Sequence, residues 1–193
     1  MRRNFFSEDF VRVISGNARG LKLVSPAGVD TRPTLDRVKE AVFSMIFPYI
    51  NDATVLDLFA GSGALGIEAL SRGALSAVFV DCSDDALRCI KKNVESARMA
   101  DTSYIVKKDA LSYLNSCDTK FDIIFLDPPY TKGLYVPVLK SVCENNILAE
   151  DGIIVAEWDA ETGFTDKLFG FECVKSKQYG RVGITVLKRG LKK

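Results

Sequence analysis

Residues 55–66 read Val55-Leu56-Asp57-Leu58-Phe59-Ala60-Gly61-Ser62-Gly63-Ala64-Leu65-Gly66. The first five are the apolar, β-prone run of a buried strand, and the glycines at 61, 63 and 66 have GxGxxG spacing. Glycines let a backbone turn tightly and approach a ligand closely where a strand enters a helix, here predicted over Ala64 to Ser71. The loop Phe59, Ala60, Gly61, Ser62, Gly63 is therefore a candidate site for a nucleotide-like cofactor at the carboxyl end of a sheet.

Outward from this unit, strand-like runs recur at Ala77 to Asp81, Tyr104 to Lys107, Phe121 to Asp127 and Ile153 to Trp158. Helical spacing of apolar residues covers Asp84 to Ala100 and Tyr135 to Asn145. The alternation predicts an α/β fold whose parallel sheet is covered on both faces. Gly170 to Lys177 and Ile184 to Arg189 are separated only by Gln178 to Gly183, too short for a crossover helix, so the sheet should end in an antiparallel hairpin. Val11 to Ser15 and Leu21 to Val24 flank Gly16-Asn17-Ala18-Arg19-Gly20, a second hairpin signature. Thr34 is expected to cap a helix running through Asp36 to about Phe47, with Pro48 following. The chain then divides into a hairpin-and-helix module, residues 1–48, and a larger domain, residues 49–193.

A length of 193 residues, 47% of them hydrophobic and 26% charged, suits one globular domain with a small appendage. No apolar run approaches the roughly 20 residues of a membrane span, and the N-terminus turns acidic at Glu8-Asp9 before a signal core could form, so a cytoplasmic protein is expected. There is no histidine, and the five cysteines form no CxxC pair; a zinc site and a histidine base are excluded, and no metal is expected. The cysteines read as small, reduced core residues. The net charge of +1 resolves into +4 over residues 1–39, −9 over 40–164 and +6 over 165–193. Termini that meet in space would place a basic, phosphate-binding surface beside an acidic body; ordinary solvated charge is the alternative. A monomer is expected.

Asp81 ends the strand after the glycine loop, 20 residues past Gly61, where a carboxylate can accept hydrogen bonds from both ribose hydroxyls. Asp57 lies four residues before Gly61. A carboxylate at the mouth of the loop repels a dinucleotide pyrophosphate but favours the cationic methionyl sulfonium of S-adenosyl-L-methionine. Asp57 either positions that methionine end or merely orders the loop. Asp109 closes the next strand, where it can take a hydrogen bond from an adenine amino group while Ala110 offers a backbone donor; the alternative is a plain helix N-cap.

The most informative tetrapeptide is Asp127-Pro128-Pro129-Tyr130. Consecutive prolines stiffen the backbone and withhold two N–H donors, leaving a carboxylate, a carbonyl and an aromatic ring. Two acceptors and a stacking face match the exocyclic amine of a flat base. Accepting both amine hydrogens, at the Asp127 carboxylate and the Pro128 carbonyl, favours a pyramidal nitrogen whose lone pair can attack a sulfonium methyl in line.

These two motifs, with Ile67-Glu68-Ala69-Leu70-Ser71-Arg72-Gly73-Ala74, Arg12-Val13-Ile14-Ser15-Gly16, Arg19-Gly20 and Arg32-Pro33-Thr34 before Asp36-Arg37-Val38-Lys39-Glu40, resemble the bacterial 16S ribosomal RNA guanine-N2 methyltransferases that modify guanine 966. The resemblance covers essentially all of the chain from Arg12. It implies a seven-stranded methyltransferase sheet, S-adenosyl-L-methionine as donor, a flipped guanine as acceptor and a substrate presented on the small ribosomal subunit. It also implies that Arg32, Thr34, Arg37 and Glu40 line the cofactor or RNA side of the cleft. Arg19, Lys22, Arg32 and Arg37 suit phosphate contacts, which position rather than specify. Trp158, the only tryptophan, is either packing or an RNA contact.

Three rivals share some of these features. A DNA adenine-N6 or cytosine-N4 amino methyltransferase would use the same tetrapeptide but usually carries a larger recognition region, whereas RNA is read largely by shape and exposed loops. A nicotinamide-dependent dehydrogenase accounts for the glycines and Asp81 but not for Asp127 to Tyr130. A non-catalytic RNA-binding module would need no cofactor at all.

Overall fold

The computed structural model of the chain describes residues 11–26, 33–129 and 133–190, with the backbone alone at 33–35. In chain order the elements are β1 (Val11–Arg12), β2 (Lys22–Leu23), α1 (Pro33–Met45), β3 (Thr54–Leu58), α2 (Ala64–Ser71), β4 (Ser76–Asp81), α3 (Asp84–Ser96) and β5 (Ser103–Lys107), then α4 (Ala110–Leu114), β6 (Phe121–Leu126), α5 (Tyr135–Glu144), β7 (Leu148–Asp159), β8 (Phe171–Tyr179) and β9 (Val182–Arg189). Seven strands form one sheet in the order β5-β4-β3-β6-β7-β9-β8. The first five run parallel, and β9 and β8 join antiparallel, the terminal hairpin read from the short Gln178–Gly183 connection.

Alternation along the strands divides the core in two. Val55, Phe79, Ile123, Phe125 and Val155 point to the face covered by α1, α2 and α3, where they meet Val42, Phe43, Ile67 and Ile90. Leu56, Val80, Ile124, Leu126 and Ile154 point to the other face and meet Leu114 of α4 and Val138, Leu139 and Val142 of α5. The residues between β1 and α1 share the first of these cores, through Val13 and Leu23. The hairpin turn is docked on the end of α2: Asn17 N–H donates to the Ser71 carbonyl at 2.8 Å and Ala18 N–H to Ser71 Oγ at 2.9 Å.

Several details correct the expectations above. Helix α1 starts at Pro33, so Thr34 lies in its first turn and is not its cap; proline suits a first helical position because its φ is preset and its missing N–H would have had no helical partner. The helix stops at Met45 rather than Phe47, and Pro48 follows it as expected, inside a separate 3-10 turn, Phe47–Tyr49. The hairpin strands β1 and β2 are two residues each. Helix α3 ends at Ser96 rather than Ala100, because Arg98 turns left-handed (φ +57°) and the Arg98 and Met99 N–H groups reach back to the Glu95 and Val94 carbonyls. That closure usually carries a glycine, and an arginine there gives no sequence signal. Only Cys89 of the five cysteines is buried; Cys82 and Cys173 are exposed, and all five are free thiols. Trp158 packs on Gly183, donates from Nε1 to Thr185 Oγ1 at 3.0 Å and lies 6.4 Å from the Phe164 ring, so packing accounts for it.

Among the described residues no helix is long and apolar enough to cross a membrane. Part of each basic terminal segment lies outside the described residues; within them, Lys188 of β9 places its ammonium 4.7 Å over the Tyr49 ring just after α1.

Candidate active site

Because β3 to β6 are parallel, their carboxyl ends lie at one edge of the sheet, and each delivers an acid there: Asp57, Asp81, Asp109 and Asp127. The glycine loop starts from a strained residue. Phe59 has φ +71°, a conformation that costs a bulky side chain of the order of 1–2 kcal/mol. It is held there by two N–H bonds, from Phe59 and Ala60, to the Val80 carbonyl at 3.1 and 3.0 Å. Gly63 caps α2 in the left-handed region (φ +76°). Gly66 needs no unusual φ but has no room for a side chain, since a Cβ there would come within 2.3 Å of the Phe79 ring. The loop is thus set by one strained aromatic and by close packing of α2 on β4.

Three carboxylates line the cleft beside this loop, Asp57, Asp127 and Glu157, together with Phe59, Gly61 and Ser62. Asp57 is buried; its carboxylate accepts the Gly66 N–H at 2.9 Å, and burial, with a smaller push from Asp81, raises its carboxyl to about 7 against that bond. Ordering the loop and facing the cleft are therefore both properties of Asp57. Asp127 is an exposed residue that lines the cleft. Removal from bulk water, then the Glu157 and Asp57 charges, push its carboxyl well above the usual carboxylate range. The two facing carboxylates would hold that direction even where water reaches Asp127. Pro128 is buried and Pro129 exposed, which leaves the turn fixed on one side and accessible on the other. Tyr130 lies outside the described residues.

Phe59 also borders a second cavity, lined by Asp81, Asp109, Ala110, Leu111 and Pro129. Asp81 accepts the Gly61 N–H and the Ser83 N–H, both at 2.9 Å, one on each oxygen. Asp109 is the N-cap of α4 and accepts from Ser112 N–H at 3.0 Å; the Ser112 hydroxyl and then that N–H hold its carboxyl below the usual range. The cap alternative therefore holds for Asp109, and its side chain still borders the cavity.

The wall opposite the sheet comes from the N-terminal segment, which sequence patterns do not place. Asn93 of α3 is buried; its amide donates to the carbonyls of Val24 and Ser62, both at 2.8 Å, and its oxygen accepts the Val24 N–H at 2.8 Å. One side chain thus ties the end of β2 to the glycine loop. Ser25, the next residue, lines the cleft with a buried hydroxyl that has no hydrogen-bond partner among the described residues. Such a group ordinarily finds a partner, so its orphaned state fits a polar ligand in the cleft. Lys39 also lines the cleft, donates to the Arg12 carbonyl and pairs with Glu68 at 3.3 Å; burial lowers its ammonium against that pairing. Glu68 is fully buried, accepts Ile14 and Ser15 N–H at 2.7 and 3.0 Å, and pairs with Arg72 at 2.7 Å. A lysine, a serine and an asparagine in an amphipathic stretch look like surface residues, and only their burial marks them.

The described basic residues expected to meet a phosphate backbone, Arg19, Lys22 and Arg37, do not line this cleft. Arg19 is exposed and borders a separate cavity with Arg12 and Glu40, while Lys22 and Arg37 are exposed. Arg32 lies outside the described residues, and of Thr34 only the backbone is described.

A sequence model of the family described as conserved hypothetical protein 95 matches residues 11–188. The chain belongs to this family. Among its relatives, YlbH of Bacillus subtilis (strain 168) is 40% identical over 182 residues, covering 93% of this chain and 99% of its own length. Ribosomal RNA small subunit methyltransferase D of Escherichia coli (strain K12) is 35% identical over 179 residues, 93% of this chain and 90% of the relative. The solved structure of yhhF from Escherichia coli, 35% identical, superposes with a TM-score of 0.85 over 95% of this chain and 99% of that one. The family is thus the one the motifs resemble, and its seven-stranded methyltransferase sheet is the sheet described here.

Proposed function

We propose that the protein transfers a methyl group from S-adenosyl-L-methionine to the exocyclic N2 amine of a guanine in 16S ribosomal RNA, at the position numbered 966, on the small ribosomal subunit. The observation that carries this reading is the convergence of Asp57, Asp127 and Glu157 on one cleft beside the glycine loop, in a family that includes a small-subunit ribosomal RNA methyltransferase.

The residues present fit the donor. Three acidic groups favour a cationic ligand over a pyrophosphate. The loop Phe59 to Gly63 and Asp57 would hold the methionine end, and Ser25 Oγ offers it an unused polar contact. Asp81 would receive the ribose hydroxyls, since each of its oxygens keeps a lone-pair site beyond the backbone bond it accepts. Asp109 and Ala110 would border the adenine, in the cavity on the far side of Phe59.

When bound, S-adenosyl-L-methionine supplies a methyl group on a sulfonium sulfur. The protein's part is alignment. The Asp127 carboxylate and the Pro128 carbonyl accept the two hydrogens of the guanine amine and direct its lone pair along the line of displacement, and Tyr130 gives the base a face on which to stack. Cationic charge in the cleft draws Asp57 and Asp127 toward their ionised forms, which keeps Asp127 an acceptor. The amine proton released on transfer leaves through Asp127 or solvent. Arg19, Lys22, Arg32 and Arg37, with Thr34, would hold the RNA backbone outside the cleft.

The test is incubation with methyl-labelled S-adenosyl-L-methionine and, separately, assembled small subunits, free 16S ribosomal RNA and duplex DNA, followed by nucleoside analysis. N2-methylguanosine from the ribosomal RNA is the expected product. N6-methyladenine or N4-methylcytosine from DNA, with no labelled RNA, would reject the assignment.

A further inference from the structure

Nothing in the sequence motifs points to Glu157, which lies in β7, outside the Asp127 to Tyr130 turn. The sheet makes it that turn's neighbour. Leu126 of β6 and Ala156 of β7 are register partners in adjacent parallel strands, so Asp127, which follows β6, and Glu157 are the next residues along. Asp57 pairs with Phe125, two residues before Asp127, which puts all three acids on the same face of the sheet. All three line one cleft. Glu157 is held from both sides: its backbone pairs with Ile184 of β9, and its carbonyl accepts a hydrogen bond from the Tyr135 hydroxyl.

A second carboxylate beside the amine-binding acid is informative about the base. In adenine and cytosine the exocyclic amine is flanked by a ring nitrogen that is an acceptor, and a carboxylate facing it would set lone pair against lone pair. In guanine the N2 amine is flanked on one side by N1–H, so these two adjacent positions offer donors alone, with the O6 acceptor beyond them and the N3 acceptor on the far side of the amine. A carboxylate pair whose charges oppose one another is relieved by such an edge and by no other amine-bearing standard base. Resting on the methyl-transfer reading above, we infer that Glu157 accepts the guanine N1–H and is the residue that selects guanine, while Asp127 handles the amine.

The substrate analogue 2-aminopurine tests this contact, because it keeps the N2 amine but carries an acceptor at N1; it also lacks O6, a second difference that the Glu157 variants separate from the first. Small subunits reconstituted with 16S ribosomal RNA holding either guanine or 2-aminopurine at the methylated position would be offered to wild type, Glu157→Gln and Glu157→Ala, with thermal unfolding as the check on folding. Wild type should prefer guanine by at least about 100-fold, as expected of a site that hydrogen-bonds a substrate N–H which the analogue lacks. Glu157→Gln can donate its amide to the analogue's N1, so its preference should fall at least tenfold with an absolute gain on 2-aminopurine. Glu157→Ala should lose rate on guanine without that gain. If both variants slow on the two bases by the same factor, or keep the wild-type preference, Glu157 does not read N1–H. Wild type that methylates neither base would instead overturn the underlying function, a result separable from the first.

Discussion

Asp57 and Asp127 stand at the ends of neighbouring strands on one face, and both hold their protons more tightly than a free carboxyl. For Asp57 the carboxyl rises from 3.8 to about 7. Between these values the folded chain keeps a proton that the unfolded chain has lost, so stability falls as pH rises across that window, by roughly 4 kcal/mol in total if Asp57 acts alone. Urea unfolding at a series of pH values should show that decline and show it flattened in Asp57→Asn. A cation binding beside Asp57 prefers the ionised form, so affinity for S-adenosyl-L-methionine should rise with pH up to about 7 and binding should release protons. Calorimetry at a pH near 6 in two buffers of different ionisation enthalpy measures that release, and Asp57→Asn should reduce it. Asp127 has a different signature. Asp127→Ala should bind the cofactor within about threefold of wild type while single-turnover methyl transfer drops by two orders of magnitude or more, the range for loss of a positioned group at the reacting atom. Equal transfer rates would remove Asp127 from the reaction.

The N-terminal hairpin depends on α2 more than on its own two-residue strands. Gly16 has φ +83°, and a Cβ there would fall 1.7 Å from the Ser71 carbonyl oxygen. Gly16→Ala should therefore undock the turn, with a loss of about 2 kcal/mol or more in urea unfolding and weaker RNA binding. Glu68 is the other anchor, joining Ile14, Ser15, Lys39 and Arg72. Removing it as Glu68→Ala takes away the carboxylate that pairs with the buried Lys39 ammonium and leaves two part-buried N–H groups without their acceptor, and should cost about 3–5 kcal/mol. Either variant would also disturb the cleft wall at Ser25. The central strands β3 and β6 were readable because buried parallel strands are near-continuous apolar runs, whereas the edge strand β5 is mostly exposed and was readable from its β-branched and aromatic residues. The end of α3 was not, since the left-handed residue that closes it is Arg98. The docking of the hairpin was not either, because it is made by a glutamate and a serine whose surroundings come from distant parts of the chain.

On the scale of the molecule, the cleft is acidic and the exposed basic residues lie outside it, a separation that suits a polyanion held at the rim while one base enters. Arg19→Ala with Arg37→Ala should lower the slope of log affinity against log salt by about 1 to 2 for ribosomal RNA, with little change in cofactor affinity. Filter binding over a range of salt measures it. An unchanged slope would put the RNA on another face.

The order of strands and helices, the terminal hairpin, the glycine loop and the acids at 57, 81, 109 and 127 follow from sequence alone, because burial period, turn residues and strand-end spacing are local properties. Tertiary structure alone decided that Asn93 ties β2 to the glycine loop, that Lys39 and Glu68 are a buried pair, and that Glu157 stands beside Asp127. These relations join residues about 30 positions or more apart through strand register and helix packing, and no local pattern encodes which distant polar groups will share a buried space.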